Sequence, residues 1–135
     1  MATVKLANAH DYFNAETGII SPDDIRSAEV EALVDAGANM LVLPAEVVKQ
    51  LGLVEIQRRK ARYADGRTAV RSVVSSVRVE IAGREGEFDV LAENAGTMPL
   101  IGQVLLEELD LIVDLRSKEL RPNPESPDMP MIDVF

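Results

Sequence analysis

Ala28-Glu29-Val30-Glu31-Ala32-Leu33-Val34-Asp35-Ala36-Gly37 is the stretch on which the fold turns. Ala28, Val30, Ala32 and Val34 fall on one face and Glu29 and Glu31 on the other, the period-two pattern of a strand buried on one side. The strand ends at Asp35-Ala36-Gly37, where glycine permits a sharp reversal. Alone, Asp-x-Gly is a common turn in which the aspartate caps its own backbone. The segments around it decide whether it is more than that.

Downstream, Met40-Leu41-Val42-Leu43 reads as a short apolar strand. Pro44 then suits the first position of a helix running through Gln50, with Gly52 placed to stop it. Extended structure resumes at Val54. Asp65-Gly66 is a hairpin-turn dipeptide between Arg58–Ala64 and Arg67–Val74. Val77, Val79 and Ile81 alternate up to a turn at Gly83, and Phe88, Val90 and Ala92 continue after Gly86. Met98-Pro99-Leu100-Ile101-Gly102 is an apolar strand ending on glycine, followed by a helical stretch at Gln103–Leu109. Leu111-Ile112-Val113 and Glu119-Leu120-Arg121 form two short strands joined by Arg116-Ser117-Lys118. The two halves are weakly similar, each running strand, glycine turn, helix and Leu-x-Leu, but only the first carries an aspartate before its glycine. Upstream, Thr3–Ala7 reads as a strand and Ser21-Pro22-Asp23-Asp24 as a turn. From Pro122 onward four prolines and three acidic residues in fourteen predict an irregular tail.

At 135 residues the chain is about one domain, and 47% hydrophobic with 27% charged residues is ordinary for a soluble globular protein. With 4% aromatics and no Trp, the core must be built from Val, Leu, Ile and Ala. A net charge of −9 disfavours general phosphate binding, and nucleic acid with it. The lack of cysteine excludes disulfides, zinc–thiolate sites and thiol catalysis. No apolar run reaches the ~18–20 residues of a membrane span, and the N-terminus lacks a signal-peptide pattern. The default expectation is a cytoplasmic protein with no membrane partner.

The order of strand, Asp-Ala-Gly, Pro-started helix, Asp-Gly hairpin, long alternating strand, Leu-Ile-Gly and second helix resembles that of the retroviral-like aspartic proteases of prokaryotes, a branch of the retropepsin family. The matching positions are Asp35-Ala36-Gly37 (an Asp-Ala-Gly form of the family's Asp-Thr-Gly or Asp-Ser-Gly), Ala64-Asp65-Gly66-Arg67 and Leu100-Ile101-Gly102. The likeness covers roughly residues 28–121, within a protease domain expected at 1–121, with 122–135 as a Pro-rich acidic tail. It implies a mainly β acid-protease barrel with one or two short helices, active as a two-fold homodimer on a peptide or protein substrate.

The resemblance also implies roles. Asp35 is the catalytic residue, one carboxyl from each subunit meeting at the two-fold axis. Two carboxyls that close share one proton, as in the established aspartic-protease dyad. One acts as general base on a water while the other polarises the scissile carbonyl, so no metal and no cofactor is required. Leu100, Ile101 and Gly102 form a supporting loop. Tyr63, Ala64, Asp65, Gly66 and Arg67 lie on a flap over the substrate. Ala36 stands where the family's hydroxyl side chain makes cross-dimer hydrogen bonds, so weaker dimerisation and reduced activity are expected. A catalytically weak or inactive dimerisation or peptide-binding module is the alternative.

Six of the fourteen Lys and Arg residues lie in Arg58–Arg71. They read as a solvated hairpin face, as steering for acidic substrates, or as a nucleic-acid surface, the last without an aromatic platform beyond Tyr63. His10, the only histidine, has no second ligand or triad partner and reads as a surface residue. Ile112-Val113-Asp114 mimics Leu33-Val34-Asp35, but no glycine follows it.

Overall fold

The alternation at residues 28–34 is realised as strand β2 (Ser27–Val34), with Ala32 fully buried and both glutamates exposed. A computed structural model describes residues 1–134. It is mainly β: β1 (Ala2–Asn8), β2, β3 (Leu41–Pro44), β4 (Val54–Arg62), β5 (Thr68–Ile81), β6 (Arg84–Glu93), β7 (Leu100–Ile101), β8 (Leu111–Val113) and β9 (Leu120–Pro122). Three short helices, α1 (Ala9–Glu16), α2 (Ala45–Leu51) and α3 (Gln103–Glu108), join them.

Strands pair in the order β1-β2-β7-β3-β6-β5, and β5 pairs back to β1, so six strands close into a barrel. Closure removes the exposed edges an open sheet would leave. β5 makes it possible by its length. Its second half pairs with β1 (Lys5↔Glu80 to Asn8↔Val77), while its first half leaves the barrel to pair with β4 (Arg62↔Thr68 to Val54↔Ser75). The β4–β5 ribbon therefore projects beyond the ring.

The interior is aliphatic, as the scarcity of aromatics requires. Val4, Leu6, Leu43, Val77, Val79, Val90 and Ile101 fill the barrel, and Leu51, Leu105 and Leu109 seal it from the helices. Each such side chain contributes roughly 1.5–3 kcal/mol when fully buried.

The expected strands and helices are present, with shifted boundaries. Pro44 closes β3 and precedes α2 instead of opening it, and Gly52 ends that helix in a left-handed conformation. The strand expected at 98–102 shrinks to Leu100–Ile101, and β9 reaches Pro122. Residues 123–134 carry no helix or strand.

Helix α1 is additional to the sequence expectation. The Asn8 side chain caps it by accepting from the Asp11 N–H at 3.0 Å. Asp11 is buried because Arg26 grips it with its backbone N–H and two guanidinium nitrogens. The Arg26 side-chain bonds hold the Asp11 carboxyl below its ordinary value. The sequence expectation for residues 1–27 is thereby enlarged: they supply a barrel strand and an ion pair buried on its Asp11 side.

Candidate active site

Asp35 leaves the end of β2 at the crossing point of the barrel. There β7 lies between β2, to which it is parallel, and β3, to which it is antiparallel. The Leu33 N–H donates to the Pro99 carbonyl at 2.9 Å and the Asp35 N–H to the Ile101 carbonyl at 3.0 Å. The Asp35 main chain is thus part of the ladder, while its side chain is exposed. The Gly37 N–H donates to Asp35 Oδ1 at 2.9 Å, and the Ala38 N–H closes the turn on the Asp35 carbonyl at 3.0 Å. This is the aspartate-capped turn that Asp-x-Gly forms anywhere, but mounted on a buried strand crossing. The second carboxylate oxygen has no hydrogen-bond partner among the described residues.

The loop is held from beneath by the start of α3. Its first N–H groups, which a helix cannot satisfy internally, go to loop carbonyls: Gln103 to Ala38 at 2.8 Å and Val104 to Asn39 at 3.0 Å. Gly102 is the point of closest approach. A β-carbon there would lie 2.6 Å from the Met40 carbonyl oxygen and 2.8 Å from that of Ala38. Backbone surrounds the position, so a side chain has nowhere to go. The structure therefore brings Asp35, Ala36 and Gly37 together with Leu100, Ile101 and Gly102. Of these, Ile101 and Gly102 are buried, and Asp35, Ala36 and Gly37 are open to solvent.

The hairpin residues form a second group. The Tyr63 N–H donates to the Arg67 carbonyl and the Gly66 N–H to the Tyr63 carbonyl, both at 2.9 Å. The result is a three-residue loop, Ala64-Asp65-Gly66, with Gly66 at φ 88° supplying the left-handed residue such loops need. Asp65 accepts from the Arg67 N–H at 2.9 Å and from its guanidinium at 2.8 Å. Ala64, Asp65, Gly66 and Arg67 are exposed, and Tyr63 is half-buried.

Tyr63 is tied down by residues that sequence reasoning missed. Its hydroxyl donates to Glu93 Oε2, and Arg71 Nε donates to Glu93 Oε1 at 2.8 Å. The Arg67 and Arg71 guanidiniums lie 5.3 and 5.9 Å from the Tyr63 ring centroid, in cation–π range. Glu93, 9% exposed, thus ties the ribbon, through Arg71 and the loop-flanking Tyr63, to the end of β6. Burial acts to raise its carboxyl, but the Tyr63 hydroxyl and the Arg71 guanidinium outweigh it and hold the group below its ordinary value. The same bond pushes the Tyr63 hydroxyl up.

A depressed carboxyl contributes stability that is present above its unfolded pKa and lost as pH falls through the lower folded value. This tie is therefore expected to be closed at neutral pH and to loosen only in acid. Glu93→Gln is expected to cost about 2 kcal/mol, the worth of hydrogen bonds to a buried charge, as a lower urea midpoint at pH 7. The gap to the parent should narrow in acid.

Other sequence candidates lie elsewhere. Asp114 accepts from the Arg116 and Ser117 N–H groups and pairs with Arg121, so it organises the β8–β9 turn. His10 is exposed on α1. Buried Arg84 donates to the carbonyls of Leu109, Asp110 and Ser126, and Asp110 accepts from Asn123, Ser126 and the Met131 N–H. That network, invisible in sequence, holds residues 123–131 against the barrel. Among the described residues no cluster of His, Asp or Glu could hold a metal ion, and no helix is long and apolar enough to cross a membrane.

A family model described as aspartyl protease covers residues 22–105, from the turn before β2 into α3, and so spans Asp35, the hairpin and the Leu100–Gly102 crossing. No curated protein matches the chain. With more than half its length matched, the chain belongs to the aspartyl protease family.

Proposed function

We propose that this aspartyl protease family member is an endopeptidase whose active form is a two-fold homodimer, each subunit contributing one Asp35 to a shared site. The observation that carries the reading is the Asp35 loop. It presents one exposed carboxylate on a strand crossing held rigidly from below by Ile101, Gly102 and the start of α3. A single carboxylate needs a second of its kind, and an isologous contact supplies it. Leu33 and Val104, 47% and 51% exposed near this loop, are apolar surface that a second subunit would cover.

In the dimer one Asp35 carboxylate takes a proton from a water bound between the pair as its oxygen attacks the scissile carbonyl carbon. The protonated partner donates a hydrogen bond to the carbonyl oxygen. Collapse of the tetrahedral intermediate breaks the C–N bond, the departing nitrogen taking a proton from the dyad. The β4–β5 ribbon serves as the flap, and Tyr63, beside the flap's loop, is tied through Glu93 to the end of β6.

Ala36 qualifies the efficiency. Its methyl group can neither donate nor accept across the dimer axis, so the two loops lack that tie. Ala36→Thr is expected to tighten the dimer and raise kcat/KM by about tenfold, from one added interaction of roughly 1–2 kcal/mol. Sedimentation and turnover of a diverse peptide mixture across pH check both. No change in either refutes the role given to position 36. Peptide binding without turnover at any pH, in both the parent and the Ala36→Thr chain, would select the non-catalytic module instead.

A further inference from the structure

Strand β4 ends the seven-stranded sheet and pairs only with β5. Its residues are exposed apart from the half-buried Ala61. Along a strand of an antiparallel ladder, successive residues turn their main-chain groups to opposite sides. The Tyr63 N–H donates to the Arg67 carbonyl, so Tyr63, Ala61 and Arg59 are the residues whose main chain faces β5. Arg62, Lys60 and Arg58 therefore direct their N–H and carbonyl groups away from it, to an edge with no neighbouring strand. The regular stretch ends where the β4–β5 register shifts between Glu55 and Gln57.

The same stretch concentrates charge that nothing neutralises. Of the six Lys and Arg residues without an acidic partner among the described residues, three are Arg59, Lys60 and Arg62, all exposed. The ribbon's other cations, Arg58, Arg67 and Arg71, are paired with Glu55, Asp65 and Glu93. Strand alternation puts Arg59 on one face and Lys60 and Arg62 on the other. A strand added along this edge would meet free cations above and below it. A second copy of β4 is disfavoured there. Two-fold pairing centred on Lys60 sets Arg58 against Arg62 and Lys60 against its own copy, and like charges directly opposite destabilise a sheet. Charge on an edge strand thus wards off its like, but it complements a strand of the opposite sign.

We propose that the free edge of β4 at Arg58–Arg62 is a docking site for an extended acidic segment of a partner protein, which joins the sheet as a further strand. The main-chain groups of Arg58, Lys60 and Arg62 hold the segment. The side chains of Arg59, Lys60 and Arg62 select it by charge. Cations on both faces match consecutive acidic residues, since neighbours in an extended segment point to opposite faces. The site uses neither Asp35 nor hydrolysis.

The test uses the full-length Asp35→Asn chain, so that no peptide is cut, and three capped, dye-labelled peptides. These are Val-Glu-Glu-Val-Glu-Glu-Val, the same sequence with Gln for Glu, and the Glu sequence N-methylated at every amide, which keeps its charge but cannot pair as a strand. The Glu peptide is expected to bind about tenfold more tightly than the Gln peptide at moderate salt, from surface ion pairs. The N-methylated peptide is expected to bind no better than the Gln peptide. Hydrogen exchange of the Arg58, Lys60 and Arg62 amides is expected to slow when the Glu peptide is bound. Lys60→Pro removes an outward N–H that β5 does not use, and is expected to weaken binding of the Glu peptide well beyond Lys60→Gln. Lys49→Gln, at an unpaired cation on α2, is expected to leave it unchanged. Equal binding of the Glu and Gln peptides, an N-methylated peptide that binds as well as the Glu peptide, or protection only outside β4 overturns the proposal. So does exchange at the three amides that slows as the chain alone is concentrated, which would give the edge to a second copy. A single-stranded RNA that displaces the Glu peptide at equal concentration would make the edge a phosphate surface, and overturns it as well.

Discussion

Asp35→Asn is expected to abolish peptide hydrolysis, with kcat/KM falling on the order of a thousandfold or more, while thermal stability stays within about 0.5 kcal/mol of the parent. The two outcomes separate because the structure separates the two roles of the residue. Its backbone N–H belongs to the strand crossing through the Ile101 carbonyl, and any residue keeps that bond. An asparagine amide oxygen can also accept from the Gly37 N–H in place of Oδ1. What asparagine cannot do is take the water's proton or share one with its symmetry mate. Fluorogenic peptide turnover and a melting curve measure the two halves of the expectation. An Asp35→Asn chain that melts many degrees lower would place the residue in the architecture instead.

Gly102→Ala is expected to do the reverse, destabilising the protein by about 3 kcal/mol, at the upper end of overpacking costs. The reason is steric. The added β-carbon would sit 2.6–2.8 Å from the Met40 and Ala38 carbonyl oxygens, closer than carbon and oxygen tolerate, and both belong to backbone held in the crossing. Relief requires the Asp35 loop and the first turn of α3 to part, breaking the Gln103–Ala38 and Val104–Asn39 bonds. Activity is expected to fall with stability, since a displacement of about 1 Å at reacting groups can cost ~100-fold. Urea denaturation checks the first effect. A Gly102→Ala chain as stable as the parent would mean that the crossing is looser than its hydrogen bonds indicate.

These two residues mark where the sequence was legible and where it was not. The alternation in β2 and in Val77, Val79 and Ile81 could be read directly, because one face of each strand is buried and period two shows which. Asp65-Gly66 announced its hairpin through backbone chemistry local to the turn. Helix α1 escaped because it inverts the usual pattern, burying Asp11 and leaving Phe13 61% exposed. Its one local signal was Asn8 ahead of Asp11, an N-cap followed by an acidic first turn. Glu93 escaped for a different reason. Its partners lie 22 and 30 residues away across three strands, and nothing in the spacing of Tyr63, Arg71 and Glu93 encodes the register that joins them. Gly102 was found only through the family resemblance. The neighbour that makes it irreplaceable, the carbonyl-lined underside of the Asp35 loop, is created by the fold.

The central claim, that one catalytic site is assembled from two copies of Asp35, has a direct measurement. Parent and Asp35→Asn chains are mixed at fixed total concentration, allowed to exchange subunits, and assayed for peptide cleavage as the parent fraction is varied. A site needing both carboxyls predicts activity that follows the square of the parent fraction, because mixed dimers contribute nothing. Activity that falls linearly with the parent fraction would mean that each chain cuts alone, and would contradict the account.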